Sequence, residues 1–315
     1  MIDVDLLTRY YGKTPAVQQV SFSIDERQIV GLLGHNGAGK TTVMKMLSGY
    51  LEPSSGSVHI GGKDLSSDAR EIQRKLGYLP ENLPIYPEMS IADYLDYAAH
   101  LKGLRTDEKR RAIRYSVDAT ELGGRYFDTI GQLSRGFKQR VGVAQAILGE
   151  PELLILDEPG NGLDPEQNEH MRQLVRELSS RATVILSTHI MQEVDALCER
   201  VLVLSNGKLA LDSPLAALRE SRELLLTASD EGINLPALLA RLPQIAAVES
   251  LDTTDNKLTL SLALHEGTAM DTAAGNISRA VVESGAKLYS LTPQQRDLEQ
   301  IFREAVQETG ASHAA

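Results

Sequence analysis

The amino-acid sequence predicts an α/β fold followed by a small α+β domain, and three observations lead to this prediction. A strand-like apolar run over 29–33 passes through a glycine-rich loop into a helix-like run over 43–47. Two further continuous apolar runs, Leu153–Leu156 and Thr183–Leu186, are typical of strands buried in a parallel sheet. Beyond residue 217 the pattern changes to β-α-β-β-α-β, the order of a ferredoxin-like domain.

Composition limits what the chain can do. Its 315 residues suffice for two domains, which we place at 1–217 and 218–315. The formal charge of −11 predicts no basic surface for nucleic acid, so no nucleic-acid partner is expected. A single cysteine, Cys198, excludes a disulfide within the chain and is interpreted as a small buried hydrophobe on a helix. The acidic start of the chain is unlike a signal peptide, and no apolar run reaches the ~20 residues of a membrane span. We therefore expect a soluble chain that needs another subunit for any work on a membrane.

The glycine-rich loop is the strongest functional signal. Gly34 is followed by four residues and then by Gly39-Lys40-Thr41. Glycines let successive N–H groups cradle phosphate oxygens, Lys40 can reach the terminal phosphates, and Thr41 can offer its hydroxyl to Mg²⁺. A plain strand-to-helix turn is the alternative. The predicted binding residues of this loop are Gly34, His35, Asn36, Gly37, Ala38, Gly39, Lys40, Thr41 and Thr42.

The region before and just after the loop predicts antiparallel strands. Apolar residues alternate with polar ones in two stretches, so both are predicted as half-buried strands: Ile2, Val4 and Leu6, and Val20, Phe22 and Ile24. Tyr11, just before a glycine, either packs in a core or presents its ring to a flat ligand such as adenine. Gly61-Gly62, between Ser57–Ile60 and Lys63–Leu65, predicts a hairpin.

A helical region follows a short strand at Leu76–Leu79 and a proline-rich loop at 84–87. Ser90 is predicted to cap a helix that ends at Gly103. A charged helix is predicted from Thr106 to about Leu122. This part of the chain is expected to form an α-helical subdomain.

Ser134 and Gly136 lie where the next helix is predicted to begin. A helix start with a hydroxyl and exposed N–H groups can bind an anion, although an ordinary capping serine would look the same.

Asp157 and Glu158 follow the buried strand over 153–156, at the end where parallel sheets bind ligands. Two adjacent acids at that position suit a cation and a water. We predict that Asp157 faces Mg²⁺ and that Glu158 polarises an attacking water.

Two more polar positions follow apolar segments. Asp164 is predicted to cap a helix that has Pro165 at its first position. His189 follows the strand over 183–186 and is interpreted either as a hydrogen-bonding residue at the edge of the core or as a phosphate sensor. Asn206-Gly207 predicts a tight hairpin, and a last helix is expected near 293–307.

The order of these motifs over residues 2–212 resembles that of the nucleotide-binding subunits of ABC transporters. The resemblance implies a P-loop ABC cassette with a mixed sheet core, an antiparallel β subdomain and an α-helical subdomain. It assigns Tyr11 to adenine stacking, Asp157 and Glu158 to the Walker B pair, and His189 to the switch histidine. Ser134 and Gly136 match the signature motif, Asp164 matches the D-loop, and Glu81 stands at the position of the metal-contacting Q-loop.

The same resemblance implies cofactors, partners and location. The family binds Mg²⁺ and ATP between two head-to-tail domains, so Ser134 and Gly136 would serve the ATP of a second copy or of a homologous subunit. Glu158, Lys40 and His189 would then carry hydrolysis. The partners would be integral membrane permease subunits, with this chain on the cytoplasmic face of the cell membrane.

Three positions depart from the commonest family pattern. Arg135 and Phe137 replace a glycine and the glutamine of the signature motif, and Glu81 replaces a glutamine. These substitutions, with the appended domain, resemble the type-2 exporter branch of the family. An ATPase acting on translation machinery or DNA is the competing interpretation. A third is that the C-terminal domain senses a ligand.

Overall fold

The computed structural model describes residues 1–219, 222–229, 232–254, 256–294 and 297–311. It divides into two compact units. The first contains Met1–Leu215 and the segment from Phe302 onward, and the second contains Ala216–Ile301. The boundary between the units thus lies close to the sequence-based one after residue 217, whereas the end of the chain is grouped with the first unit. That 218–315 acts as a separate domain stays a prediction.

The strands of the first unit form two sheets among the described residues. In chain order they are β1 (Ile2–Tyr11), β2 (Thr14–Ile24), β3 (Ile29–Leu33), β4 (Ser55–Ile60), β5 (Lys63–Asp64), β6 (Leu76–Leu79), β7 (Leu153–Asp157), β8 (Thr183–Ser187), β9 (Arg200–Ser205) and β10 (Lys208–Pro214).

The mixed sheet has the strand order β10-β9-β3-β8-β7-β6. Neighbouring strands are parallel except at the β9–β10 hairpin, where they are antiparallel. Every residue of β3, β7 and β8 is buried, as is typical of inner strands of a parallel sheet. The carboxyl ends of these three strands therefore meet at one edge of the sheet, and this edge carries the candidate site.

The antiparallel sheet has the order β2-β1-β4-β5. Val20, Phe22 and Ile24 are buried, as the alternating pattern predicts. The same prediction is wrong at Leu6, which is 52% exposed. A register shift in β1 gives Leu6 a φ of +47°, so that Leu7 takes the buried position instead.

The helices of the first unit and of its border are, in chain order, α1 (Lys40–Leu47), α2 (Leu65–Arg74), α3 (Ile91–Leu101), α4 (Thr106–Ala119), α5 (Arg135–Ala146), α6 (Pro165–Ser179), α7 (Met191–Leu197) and α8 (Leu215–Arg219). The sequence pattern predicts a strand at Leu65 and does not indicate α2. That placement is wrong, because the Asp64 carboxylate accepts a hydrogen bond from Ser66 N at 2.8 Å and so caps a helix.

The α-helical subdomain consists of α3, α4 and the start of α5. Ser90 caps α3 as predicted, with its hydroxyl accepting from Asp93 N at 3.0 Å. Apolar side chains of the three helices form a core of their own, including Leu95, Val117 and Val141. This core includes Val141 and Ala144 of α5, so it anchors the helix whose first residues carry the predicted signature motif.

The hairpin at Asn206-Gly207 and the burial of Cys198 agree with the sequence-based predictions, whereas the placement of Cys198 on a helix is wrong, because the helix ends one residue earlier. Asn206 and Gly207 both have positive φ, +50° and +77°, as a tight hairpin of this kind requires. Cys198 directly follows α7 and is buried, and burial raises the pKa of its thiol to about 12. The thiol is therefore a packing group.

The second unit has the ferredoxin-like order that the sequence predicts. Its elements are β11 (Glu223–Ser229), α9 (Leu235–Leu239), β12 (Ile245–Thr254), β13 (Lys257–Leu264), α10 (Met270–Glu283) and β14 (Leu288–Pro293). The sheet order is β12-β13-β11-β14 with antiparallel neighbours throughout. The last helix, α11, covers Leu298–Ala311. In the described part of the chain, each helix is too short or too polar to cross a bilayer.

Candidate ATP-binding and hydrolysis site

The loop that is predicted to bind phosphate connects β3 to α1, as the sequence predicts. Lys40 is the first residue of α1, and its Nζ donates to Gly34 O at 2.7 Å, which holds the ammonium group inside the loop. Gly39 has a φ of +108°, and a Cβ there would lie 2.7 Å from Ala16 O. Only glycine suits that position, because both the left-handed backbone and the close approach of β2 exclude a side chain.

Asp157 ends β7 and is 1% exposed. Its Oδ1 accepts a hydrogen bond from Ser187 Oγ at 2.6 Å, whereas its Oδ2 has no protein partner among the described residues. A buried carboxylate oxygen without a partner is costly, and a bound cation would satisfy it. The donor set of Asp157 and Thr41 therefore fits Mg²⁺, which takes one or two protein oxygens together with substrate phosphates. The described residues contain no group of three or more acidic, histidine or cysteine side chains that would hold a metal ion alone.

Glu158 follows β7 in a left-handed conformation, with a φ of +53°. Ser187 supports this strained backbone, because its Oγ accepts a hydrogen bond from Glu158 N at 2.9 Å. A non-glycine residue in this region costs about 1–3 kcal/mol and persists where the surroundings dictate it. The turn directs the Glu158 side chain away from the path of the strand, and 13% of that side chain is exposed.

His189 and Glu158 are in direct contact. His189 Nδ1 lies 2.8 Å from Glu158 Oε2, and the histidine side chain is 62% exposed. The sequence analysis predicted roles for both residues separately but did not predict this contact. It arises because β7 and β8 are neighbours, with Asp157 opposite Ser187, so the residues just beyond each strand end side by side.

The signature residues lie at the start of α5. Ser134 is exposed and accepts a hydrogen bond from Phe137 N at 3.4 Å. Gly136 is buried under Gln167, since a Cβ there would lie 2.1 Å from Gln167 Oε1. Asp164 caps α6 as predicted, accepting from Gln167 N at 2.8 Å. Ser134 thus caps its helix and still presents the helix start to solvent.

Arg135, one of the departures from the family pattern, binds the segment that follows Glu158. Its Nη2 donates to Asn161 Oδ1 at 3.1 Å, and its guanidinium fills the space beside Gly162. Phe137, the other departure in this motif, lies under the guanidinium groups of Arg125 and Arg140, at 4.8 and 5.7 Å from the ring centroid. The predicted signature motif therefore contacts both the segment around Asn161 and Gly162 and the helical subdomain.

Tyr11 and Glu81 lie away from the contacts just described. Tyr11 is 51% exposed at the end of the β1–β2 hairpin, with Arg9 stacked on its ring, so it does not pack in the core. Glu81 is exposed and lines a cavity of about 590 Å³ that Thr41 also lines. Their predicted contacts with adenine and metal stay predictions.

The comparisons with known proteins decide the family. The family profile described as "ABC transporter" matches residues 17–161. The ABC transporter ATP-binding protein YxlF of Bacillus subtilis is 33% identical over 79% of this chain and 82% of its own length. The chain belongs to the ABC transporter ATP-binding proteins. The bacitracin transport ATP-binding protein BcrA of Bacillus licheniformis is 30% identical over 94% of both chains.

Solved structures agree with this placement. The ATP-binding subunit of an ABC transporter superposes with a TM-score of 0.64 at 31% identity, over 69% of this chain and 91% of that one. The bacterial ABC transporter cassette MJ0796, solved as a dimer, also gives a TM-score of 0.64, at 25% identity. As an ABC ATP-binding subunit the chain binds and hydrolyses ATP, forms dimers and powers a membrane permease.

Proposed function

We propose that this subunit drives export by clamping two Mg·ATP between two head-to-tail copies, or between one copy and a homologous subunit. The contact between His189 and Glu158, at 2.8 Å beside the buried Asp157, carries the proposal. This contact supports a site in which a candidate base, a candidate phosphate sensor and a candidate metal-binding oxygen adjoin at the strand ends. Each composite site would be completed by Ser134 and Gly136 of the other chain.

Each side chain has a definite task in this proposal. Lys40, held in the loop at 2.7 Å from Gly34 O, moves to the β- and γ-phosphates and balances their charge. Thr41 and Asp157 would hold Mg²⁺, which would neutralise charge on the phosphates, and Glu81 would reach it from the Q-loop. Glu158 orients the attacking water, and His189 keeps the γ-phosphate in line with it. Tyr11 stacks on the adenine, and Asp164 lines the dimer interface.

A groove beside the nucleotide site is the proposed docking place for the permease. The cavity of about 590 Å³ that Thr41 and Glu81 line is also lined by exposed aromatic side chains. Tyr50 is 76% exposed, Tyr86 45% and Tyr97 41%. Such aromatic groups are enriched at protein interfaces. Because the same cavity reaches Thr41, a segment bound there would contact the machinery that holds Mg²⁺.

Export is supported by relatives that align with this chain beyond the cassette. The Bacillus subtilis protein LnrL, named for linearmycin resistance, is 29% identical over 96% of this chain and 97% of its own length. BcrA, named for bacitracin transport, aligns over a similar share. We propose that the chain acts on the cytoplasmic face of the cell membrane and that 218–315 is an accessory domain of this exporter type.

A Glu158→Gln variant tests the nucleotide-site part of the proposal. It should bind ATP without turning it over, so that ATP converts the protein to a stable dimer on gel filtration. Adding Lys40→Ala should abolish the dimer, because phosphate binding is lost. Turnover at the parental rate by Glu158→Gln would contradict the assignment of Glu158.

Purification from detergent-solubilised membranes tests the permease part. The parent chain should recover an integral membrane protein, and Tyr50→Ala should lose it while keeping ATP-driven dimerisation. Phe127→Ala is the matched control, because Phe127 is 83% exposed but lies outside the groove. Recovery of ribosomes instead of a membrane protein would favour the competing role in translation.

A further inference from the structure

Glu193 carries a buried carboxylate next to the proposed site, and the proposed reaction does not use this carboxylate. It lies on α7, which begins just after His189, and only 5% of the residue is exposed. Glu193 Oε2 accepts a hydrogen bond from Thr188 Oγ1 at 2.6 Å, inside the protein. A buried carboxylate persists only where such partners compensate its desolvation. The groups that contact Glu193 are therefore the groups that its carboxylate holds in place.

One end of the carboxylate fixes the turn that carries His189. Thr188 Oγ1, which donates to Glu193, accepts a hydrogen bond from Ile190 N at 3.1 Å. The backbone on both sides of His189 is thus tied to one buried group. His189 itself is 62% exposed, so packing of its ring does not determine its position. The turn does.

The other end of the carboxylate lies against the backbone that follows Glu158. A Cβ on Gly160 would be 2.4 Å from Glu193 Oε1 and 2.8 Å from Asn168 Oδ1. The glycine backbone therefore rests directly on the two side chains. From a different element, buried Gln139 donates from Nε2 to Pro159 O at 3.0 Å. The two residues after Glu158 are consequently held by Glu193 and by the signature helix.

We propose that Glu193 is a positioning residue for ATP hydrolysis. Its carboxylate holds the turn of His189 and the turn after Glu158 as one unit, which keeps His189 Nδ1 at 2.8 Å from Glu158 Oε2. This role rests on the proposed function of those two residues. Glu193 acts through them and touches neither nucleotide nor metal. Its loss should therefore slow turnover and leave the binding of ATP intact.

Three variants separate this role from general support of the fold. Glu193→Ala removes both contacts, and a misplacement of this kind costs about tenfold to a hundredfold in kcat. Glu193→Gln should keep most of the activity, because its amide oxygen accepts from Thr188. Its amide nitrogen can donate to Asn168 Oδ1, which has no protein partner among the described residues. Gln192→Ala, at an exposed position of the same helix, is the matched control.

The measurement is the ATP dependence of hydrolysis by the full-length protein with its permease partner. Glu193→Ala and Thr188→Val should each lower kcat at least about tenfold with KM for ATP changed less than about threefold. The conservative variants Thr188→Ser and Glu193→Gln should each retain a kcat within about threefold of the parent. If Glu193→Ala fails to fold, as thermal unfolding would show, Thr188→Val and the two conservative variants carry the test.

Two results would overturn the role of Glu193. The first is a kcat for Glu193→Ala equal to that of the parent. The second is a loss of activity in Glu193→Ala that appears as a raised KM for ATP, or that is equally large in Glu193→Gln. Glu158→Gln, assayed alongside, distinguishes failure of the proposed function. If Glu158→Gln retains turnover, the proposed site is wrong. If Glu158→Gln is inactive while Glu193→Ala is fully active, only the role of Glu193 is wrong.

Discussion

Replacing Asp157 by asparagine should stabilise the nucleotide-free protein while it destroys the response to Mg·ATP. Asp157 is 1% exposed, and one of its two carboxylate oxygens has no partner in the part of the chain that the structure describes. A buried charged oxygen left unpaired costs about 1–3 kcal/mol or more, and a neutral amide is cheaper to bury. In EDTA, Asp157→Asn should therefore raise the free energy of unfolding by about 1–3 kcal/mol.

Thermal unfolding measures this difference directly. For a unit of this size, each kcal/mol corresponds to about 2–4 °C in Tm. Mg·ATP at a hundred times its Kd should stabilise the parent by about 2.7 kcal/mol, and Asp157→Asn should gain much less. Adding Mg·ATP should therefore shrink or reverse the difference in Tm between the two proteins.

The control for this experiment is Asp5→Asn, which removes a charge from an exposed position of β1. It should leave both Tm values near those of the parent. A lower Tm for Asp157→Asn than for the parent in EDTA would refute the reasoning from burial. An equal gain from Mg·ATP would refute the assignment of Asp157 to the metal.

Two further predictions concern a half-buried lysine and the loop between β3 and α1. Desolvation lowers the pKa of Lys102 from 10.5 to about 8. The folded protein then binds fewer protons than the unfolded one between these values, so the parent should gain stability relative to Lys102→Met as pH rises from 8 to 10.5. Urea unfolding across that range checks it, and parallel curves for the two proteins would count against it. Gly39→Ala should abolish binding of a fluorescent ATP analogue, because its Cβ would meet Ala16 O at 2.7 Å. Gly12→Ala, at a φ of +62° with open space around it, should leave binding intact. Equal loss of ATP-analogue binding in both variants would mean that backbone strain alone causes the effect.

Much of the fold could be predicted because its signals are local. The buried strands β3, β7 and β8 are continuous apolar runs, and the loop between β3 and α1 has fixed spacing. The ferredoxin-like order of the second unit could also be read from alternating helix and strand patterns. In each case the residues that determine the element lie within it.

The failures have a common physical origin in contacts that lie outside the segment being interpreted. Leu6 fits an alternating strand, but a register shift against β2 turns it outward. The sequence pattern places Leu65 in the second strand of a hairpin, but the Asp64 side chain caps a helix that begins at Leu65. Each of these outcomes depends on the hydrogen bonding of a single residue. A pattern of apolar and polar residues carries no information about it.

The site was predicted residue by residue, but its connections were not. Spacing and residue type single out Asp157, Glu158 and His189. The Ser187 hydroxyl that supports the first two, and the Glu193 carboxylate behind His189, look like ordinary residues of a strand and a helix. Their roles depend on the pairing of β7 with β8 and on the packing of α7, so they emerge only in three dimensions.

A mixing experiment tests whether each ATP site is built from two chains. In a Glu158→Gln background, one chain additionally carries Lys40→Ala and the other Ser134→Arg. Either chain alone has no complete site and should trap no ATP. A head-to-tail dimer of the two has one intact phosphate loop facing one intact signature motif. The mixture should therefore trap one ATP per dimer, against two for Glu158→Gln alone. No trapped ATP in the mixture, or two per dimer with the Ser134→Arg chain alone, would contradict a shared site.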